Sequence, residues 1–220
     1  MDKVKLHFDK VSKDYDYYKK KNAFYYENIK SLLSSLIPKN KKVLEFGCGT
    51  GDLLSSLNPK VGIGYDPSSG MIKIAKNKHK SKKNLVFSNR LPFTLQLLPD
   101  YIFMVDVIEH LTDPQKEFNN ISKLMNKKTV FINTMANPIW EPLLMFWEKM
   151  GWKMPEGPHN RIGYKDIKLI ENRAGLKIIK HDYKLLFPIK IPLITNFVNK
   201  YLERYAKNYA FIEYFVAKKK

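Results

Sequence analysis

The chain has 220 residues, 44% of them hydrophobic and 13% aromatic, which is enough to bury the core of one α/β domain and argues against disorder. Its only cysteine, Cys48, excludes an intramolecular disulfide framework and a cysteine-clustered structural metal, so a reducing cytoplasm is the expected compartment. A formal net charge of +18 attracts the phosphates of nucleic acid or of an anionic membrane, yet of 39 basic residues only Arg90, Arg161, Arg173 and Arg204 carry the planar fork that binds phosphate bidentately.

Aromatic and aliphatic residues recur at helical spacing through the first forty positions (Tyr15, Tyr18, Phe24, Tyr25, Ile29, Leu32, Leu33, Leu36), predicting one or two amphipathic helices that end at Pro38. No stretch reaches the roughly 18 uncharged apolar residues of a membrane span. Met1-Asp2-Lys3-Val4-Lys5 lacks the apolar core of a signal peptide, so a soluble or peripherally membrane-bound protein is expected.

The chain then alternates. Strands are predicted at 42–46, 61–65, 84–87, 101–107 and 129–134, with helices at 52–57, 68–78 and 114–125 between them. Such alternation implies a doubly wound α/β fold with a largely parallel sheet covered on both faces, and a ligand beyond the carboxyl ends of the strands. From Asn137 to Gly163 the chain is rich in Trp, Met, Pro and Gly and is too long for an ordinary connection, which suggests a lid or substrate loop. Regular elements return with a helix at 164–174, a strand at 176–183, a helix at 195–207 and a last strand at 209–216.

Val43-Leu44-Glu45-Phe46-Gly47-Cys48-Gly49-Thr50-Gly51-Asp52 runs from an apolar strand through a glycine-rich turn into a helix. Glycines admit a ligand close to the backbone, and the helix start offers free N–H groups. No Gly-Lys-Ser/Thr follows, so this is not a phosphate loop, and Asp52 stands where a dinucleotide fingerprint needs a small residue. The segment resembles the first motif of the class I S-adenosylmethionine (SAM)-dependent methyltransferases, an acidic residue followed by Gly-x-Gly-x-Gly. The resemblance implies that Gly47, Cys48, Gly49 and Gly51 pack against the methionine and ribose parts of SAM, with Glu45 beneath the loop.

Two further segments agree. Gly64-Tyr65-Asp66-Pro67-Ser68-Ser69-Gly70-Met71 places Asp66 at the end of the second strand, where a carboxylate accepts hydrogen bonds from ribose hydroxyls, with Pro67 and Met71 beside the adenine. Asp106-Val107-Ile108-Glu109-His110 looks like the turn after the fourth strand in the quinone-biosynthesis methyltransferases, where it borders both the sulfonium and the acceptor. Some relatives are thought to hold a divalent cation there, whereas many metal-free methyltransferases also carry Glu-His at this position. The expectation for this chain is a metal-free site, with Asp106 and Val107 toward the cofactor and Glu109 and His110 orienting the acceptor.

The chain departs from the family at Ser88-Asn89-Arg90-Leu91-Pro92-Phe93, where an acid that binds the adenine amino group is missing and Asn89 is the substitute. Near the N-terminus, Phe8 to Asp16 resembles the aromatic cap folded over the cofactor, with Tyr15 or Tyr18 reaching SAM. In the irregular segment His159 is the candidate general base.

The resemblance thus implies a single domain over residues 1–220 on a seven-stranded Rossmann-like sheet whose last strand is antiparallel. Residues 1–40 form a helical cap, and 137–163 and 184–208 form lid or acceptor elements. The expected reaction is methyl transfer from SAM to oxygen, nitrogen or carbon of a small-molecule acceptor, or of one linked to lipid or saccharide. Leu185 to Ile194, strongly apolar with the single charge of Lys190, suits an apolar pocket wall or peripheral membrane contact. Two alternatives stand beside it. An RNA methyltransferase draws on the charge and on the acid-free run Lys73 to Lys83, but lacks an Asn/Asp-Pro-Pro-Tyr/Phe motif; the other is a non-catalytic SAM-binding partner subunit.

Overall fold

A computed structural model describes residues 3–91, 98–151, 154–155, 157, 160–191 and 194–220. Seven strands form one sheet: β1 (Lys42–Phe46), β2 (Val61–Tyr65), β3 (Leu85–Ser88), β4 (Tyr101–Val105), β5 (Val130–Ala136), β6 (Leu176–Lys184) and β7 (Ile212–Lys219). Their order is β3-β2-β1-β4-β5-β7-β6. The first five pair in parallel, and β7 runs antiparallel to both β5 and β6. This is the sheet expected from the sequence.

The central strands are apolar on both sides because both faces are covered, as parallel sheets require. On one face lie helices α3 (Ala23–Leu36), α4 (Asp52–Ser56) and α5 (Ser69–Lys78), which bury Leu33, Leu54 and Ala75 against Val43, Phe103 and Ile132. On the other, α6 (Pro114–Lys123) and α8 (Tyr164–Arg173) bring Phe118 and Ile167 onto Leu44, Met104 and Phe131. Strand order reverses between β1 and β4, so the crevice at their carboxyl ends is where a ligand enters such a sheet.

Several elements differ from expectation. The N-terminal region holds three helices, α1 (Lys3–Val11), α2 (Tyr15–Lys21) and α3, broken at Ser12 to Asp14 and at Asn22. Within the segment expected to be irregular, α7 (Glu141–Lys149) is a regular helix that carries Pro142 in its first turn, where a missing N–H costs nothing. The helix expected at 195–207 is a helical run interrupted by a π-turn at Val198–Leu202. The last strand lies three residues further on than expected, because Val130 to Ala136 of β5 pair with Lys218 to Ile212. Its terminal lysines are structural: Lys219 Nζ donates to the carbonyls of Ser122 (3.1 Å) and Met125 (3.2 Å), at the carboxyl end of α6 where cations are favoured. Among the described residues no helix is long and apolar enough to cross a membrane.

Candidate active site

The turn after β1 is closed by backbone bonds: the N–H groups of Gly47 and Cys48 both donate to the Tyr65 carbonyl, at 2.7 and 2.9 Å. Gly47 is left-handed (φ +76°), and a Cβ there would stand 2.4 Å from Val107 Cγ2, so the turn after β1 and the turn after β4 admit no side chain between them. Glu45 is buried beneath the turn, where Oε2 accepts from the Leu54 N–H at 3.1 Å. Burial pushes the Glu45 carboxyl up, and the Lys19 ammonium opposes that rise. Cys48 is also buried, which pushes its thiol up and leaves it a packing residue.

At the end of β2, Asp66 is 8% exposed. Its carboxylate accepts from Gly49 N–H at 2.8 Å through one oxygen and from Ser68 N–H at 2.9 Å through the other. Burial raises its pKa to about 6, against the lowering effect of those two N–H groups. Each oxygen keeps a lone pair for a further donor. β4 stops at Val105, two residues earlier than expected, because Asp106 takes a left-handed backbone (φ 53°) while its N–H donates to the Thr134 carbonyl at 3.0 Å. That turn aims the Asp106 carboxylate at α3, where the Tyr25 hydroxyl donates to both of its oxygens.

The three N-terminal helices roof the crevice and are tied down by charge. In α1, the Asp9 carboxylate accepts from Ser68 Oγ at 2.6 Å and from Gly70 N–H at 3.0 Å. Burial acts upward on Asp9, but the Gly70 N–H, the Lys5 ammonium and the Ser68 hydroxyl outweigh it and hold its pKa at about 2. In α2, Asp16 accepts from Thr50 Oγ1 at 2.6 Å, and Lys78 Nζ lies 2.7 Å from both Asp16 and Asp52, joining α2, α4 and α5. Lys19, also on α2, is 12% exposed, with its ammonium 3.8 Å from Asp52 Oδ2 and 4.8 Å from the centre of the Tyr26 ring. Burial lowers its pKa, opposed by Asp52 and Glu45.

Between roof and sheet lies a cavity of about 800 Å³. Of the residues singled out from the sequence, Tyr15, Tyr18, Gly47, Gly49, Asp66, Pro67, Met71, Asp106, Val107, Glu109 and His110 line it. Glu45, in β1, and Cys48 and Gly51, in the turn, are not among the lining residues. Asn89 is not in the lining either: it is exposed, and its amide donates to Ser69 Oγ at 3.1 Å. His159 lies outside the described residues. Among those described, Asp106, Glu109 and His110 do not converge into a group that holds a metal ion.

Pro188, Ile189 and Lys190 also line the cavity, within the segment 185–194 expected as an apolar pocket wall. Sequence reasoning did not single out as site residues Lys19, Tyr25 and Tyr26, which face the cavity from the roof, or Leu144 and Trp147, which add apolar side chains to the lining. His110 meets Phe8 edge-to-face at 5.3 Å between ring centres. Asn160 ties the later segment to the turn after β4, with its N–H on the Glu109 carbonyl at 2.6 Å and its amide on the Leu111 carbonyl at 3.0 Å.

The lining fits SAM. The cofactor carries a sulfonium and an ammonium, which suit a wall containing Asp66, Asp106 and Glu109, and a carboxylate, which suits the Lys19 ammonium. Gly49 adjoins the Tyr15 ring, where a Cβ would lie 3.1 Å from Cε1, so the cradle narrows at that glycine.

A family model described as a methyltransferase domain matches residues 17–181. An uncharacterized protein of Methanocaldococcus jannaschii is 33% identical over 137 residues, 61% of this chain and 52% of that protein. An uncharacterized methyltransferase of Bacillus mycoides is 30% identical over 139 residues, 58% of this chain and 66% of that one. The match to these relatives thus spans about half to two thirds of their length. A Thermotoga maritima structure described as a SAM-dependent methyltransferase, possible histamine N-methyltransferase, superposes with a TM-score of 0.74 at 18% identity, covering 99% of this chain and 100% of that one. At that identity the likeness bears on the fold.

Proposed function

The chain belongs to the methyltransferase-domain family, the class I SAM-dependent methyltransferases, and from that membership we propose that it methylates an apolar small molecule or the polar end of a lipid- or saccharide-linked acceptor. Its cofactor is that of the family, SAM, which supplies an electrophilic methyl group on a sulfonium. The observation that carries the acceptor class is the lining of one cavity. Beside the polar Asp66, Asp106, Glu109 and His110 it includes the apolar Leu144, Trp147, Pro188 and Ile189.

Within that site Asp66 receives the ribose hydroxyls and the Gly47 to Gly49 backbone adjoins the methionine part. Lys19 receives the carboxylate. Asp106, held by Tyr25, faces the cationic centre, and Glu109 and His110 orient the attacking oxygen, nitrogen or carbon. His110 accepts the acceptor's proton where one is released. The roof helices exclude water, so alignment of the two reactants supplies much of the rate. The N-terminal helices act as the cap, and 137–163 and 184–208 as acceptor elements of one domain. The buried thiol of Cys48 suits a cytoplasmic setting.

RNA is the second reading, favoured by the net charge of +18. Against it, the chain carries no Asn/Asp-Pro-Pro-Tyr/Phe motif of the kind used on exocyclic amines of bases, which favours the smaller acceptor. The test is incubation with methyl-labelled SAM and, in separate arms, lipid extract, aqueous metabolites and RNA. Label in the lipid or metabolite arm is expected. Label confined to RNA overturns the acceptor class, and SAM binding without label in any arm supports a non-catalytic subunit.

A further inference from the structure

Most of the large apolar side chains exposed among the described residues are concentrated on two segments beside the acceptor compartment, α7 with its preceding turn and residues 185–209. The two are joined: Trp140 Nε1 donates to the Tyr209 carbonyl at 2.9 Å, and the Asn137 amide to the carbonyls of Asn208 and Ala210, both at 2.9 Å. In the helical run after Ile194, one row of polar side chains, Thr195, Asn199 and Glu203, points inward. Thr195 Oγ1 accepts from Ile191 N–H at 2.7 Å and donates to the Ile189 carbonyl at 2.6 Å. Asn199 brackets the backbone of Phe187 at 2.7 and 3.0 Å, and the Glu203 carboxylate accepts from Leu185 N–H at 2.8 Å. Spaced four apart, these three satisfy the backbone of the strap that lines the cavity. At the same spacing, Phe197, Tyr201 and Tyr205 are turned out, with relative exposures of 57%, 49% and 74%. On α7, Leu144 and Trp147 face the cavity, whereas Phe146 and, just past the end of the helix, Met150 are more than half exposed.

We propose that this face docks on an anionic lipid bilayer and presents the cavity to an acceptor held in that bilayer; the inference rests on the apolar-acceptor reading and deepens it. Charge selects the occupant. Between Lys184 and Tyr209 the sequence carries Lys184, Lys190, Lys200, Arg204 and Lys207 against the single acid Glu203, whose carboxylate is committed to the strap; Lys207, half-exposed, also pairs with Asp182 of β6 at 3.1 Å. Arg204 lies over the Tyr205 ring at 4.5 Å, so cation and aromatic share one outward surface. Exposed Tyr and Phe beside Lys suit the headgroup layer, where aromatic rings sit at the interface and each cation adds attraction to acidic headgroups. A protein partner is disfavoured, because lysine is depleted at protein interfaces. RNA makes no use of exposed aliphatic side chains such as Met150, Ile191 and Leu202.

Flotation of the protein with vesicles tests the proposal. It is expected to float with phosphatidylcholine containing about 30% phosphatidylglycerol, far less with phosphatidylcholine alone, and to be released by salt. Phe197→Ser with Tyr205→Ser, and separately Arg204→Gln with Lys207→Gln, should each weaken binding to the acidic vesicles more than about tenfold. SAM affinity by calorimetry should not change in either, since none of these residues lines the cavity. Intact SAM binding without flotation overturns the docking face and leaves the methyltransferase reading standing, whereas absent SAM binding overturns that reading itself. Docking is also overturned by flotation indifferent to both double variants, or by a concentration-dependent dimer that the variants dissociate.

Discussion

The Tyr25 hydroxyl shares its proton between the two carboxylate oxygens of Asp106, at 2.9 and 2.8 Å, across 81 positions of sequence. Burial raises the Tyr25 pKa, and the neighbouring Asp106 charge adds to that rise, so the phenol remains a donor throughout the working range. It fixes a carboxylate that already stands on a left-handed turn facing the cavity. Tyr25→Phe should therefore lower kcat by roughly tenfold to a hundredfold, on the scale of one hydrogen bond to a charged group. SAM affinity should move much less. Steady-state kinetics beside calorimetry check this, and an unchanged kcat would remove Asp106 from the reacting centre.

Asp66 gives a prediction with a pH sign. Ribose hydroxyls donate to the ionised carboxylate, and in the free protein that carboxyl titrates near 6 because it is buried. Binding must therefore expel a proton at lower pH. SAM affinity should be flat above about pH 7 and fall toward tenfold per pH unit well below 6. Asp66→Ala should weaken binding by about 1.5–3 kcal/mol at neutral pH and flatten the profile. Titration calorimetry between pH 5 and pH 8 separates these outcomes, and a wild-type profile without slope would show that Asp66 is not the ribose ligand.

The parts of the site read from sequence are those in which chemistry and local chain coincide. Glu45 to Gly51 is a strand, a turn and a helix start in a single run, and Asp66 follows the next strand, so a local motif that resembles the family's picks them out. Lys19 and Tyr25 escape such reading because their place depends on how a helical roof settles over a sheet, and nothing near them in sequence records that packing. Asn89 illustrates the reverse: its position in a motif suggested adenine, yet it stands exposed outside the cavity lining, with its amide nitrogen donating to Ser69 on α5. Helix α7 was hidden by a composition that reads as loop, although Pro142 sits in the one turn where proline suits a helix. The far end of β7 was hidden by lysines, whose ammonium groups reach the end of a neighbouring helix while their backbone pairs.

Lys19 is held close to Asp52 and Glu45 in a buried setting, which costs desolvation unless a further anion joins it. The cofactor carboxylate is that anion in the reading above. Lys19→Met keeps the length of the stem and removes the charge, so it should weaken SAM by about 1–3 kcal/mol. The same change should affect an analogue whose carboxylate is amidated far less. Equal losses for the two ligands in calorimetry would assign Lys19 to the support of the roof instead.

Glu171 sits on α8 on the same face as Ile167 and Ala174, fully buried, and neither carboxylate oxygen has a hydrogen-bond partner among the described residues. Burial raises its pKa from 4.5 to about 8. Between those values the native protein keeps the proton that the unfolded chain releases, so the native state binds more protons and stability must fall as pH rises through this window. The loss should reach the order of a few kcal/mol by pH 8. Glu171→Gln preserves shape and cannot ionise, so its stability should lack that component and exceed wild type above pH 8, while the two lie closest near pH 5. Urea denaturation at intervals of pH measures the difference directly. Parallel curves for the two proteins would mean that Glu171 has the same pKa folded and unfolded, and that its burial carries no pH-dependent cost.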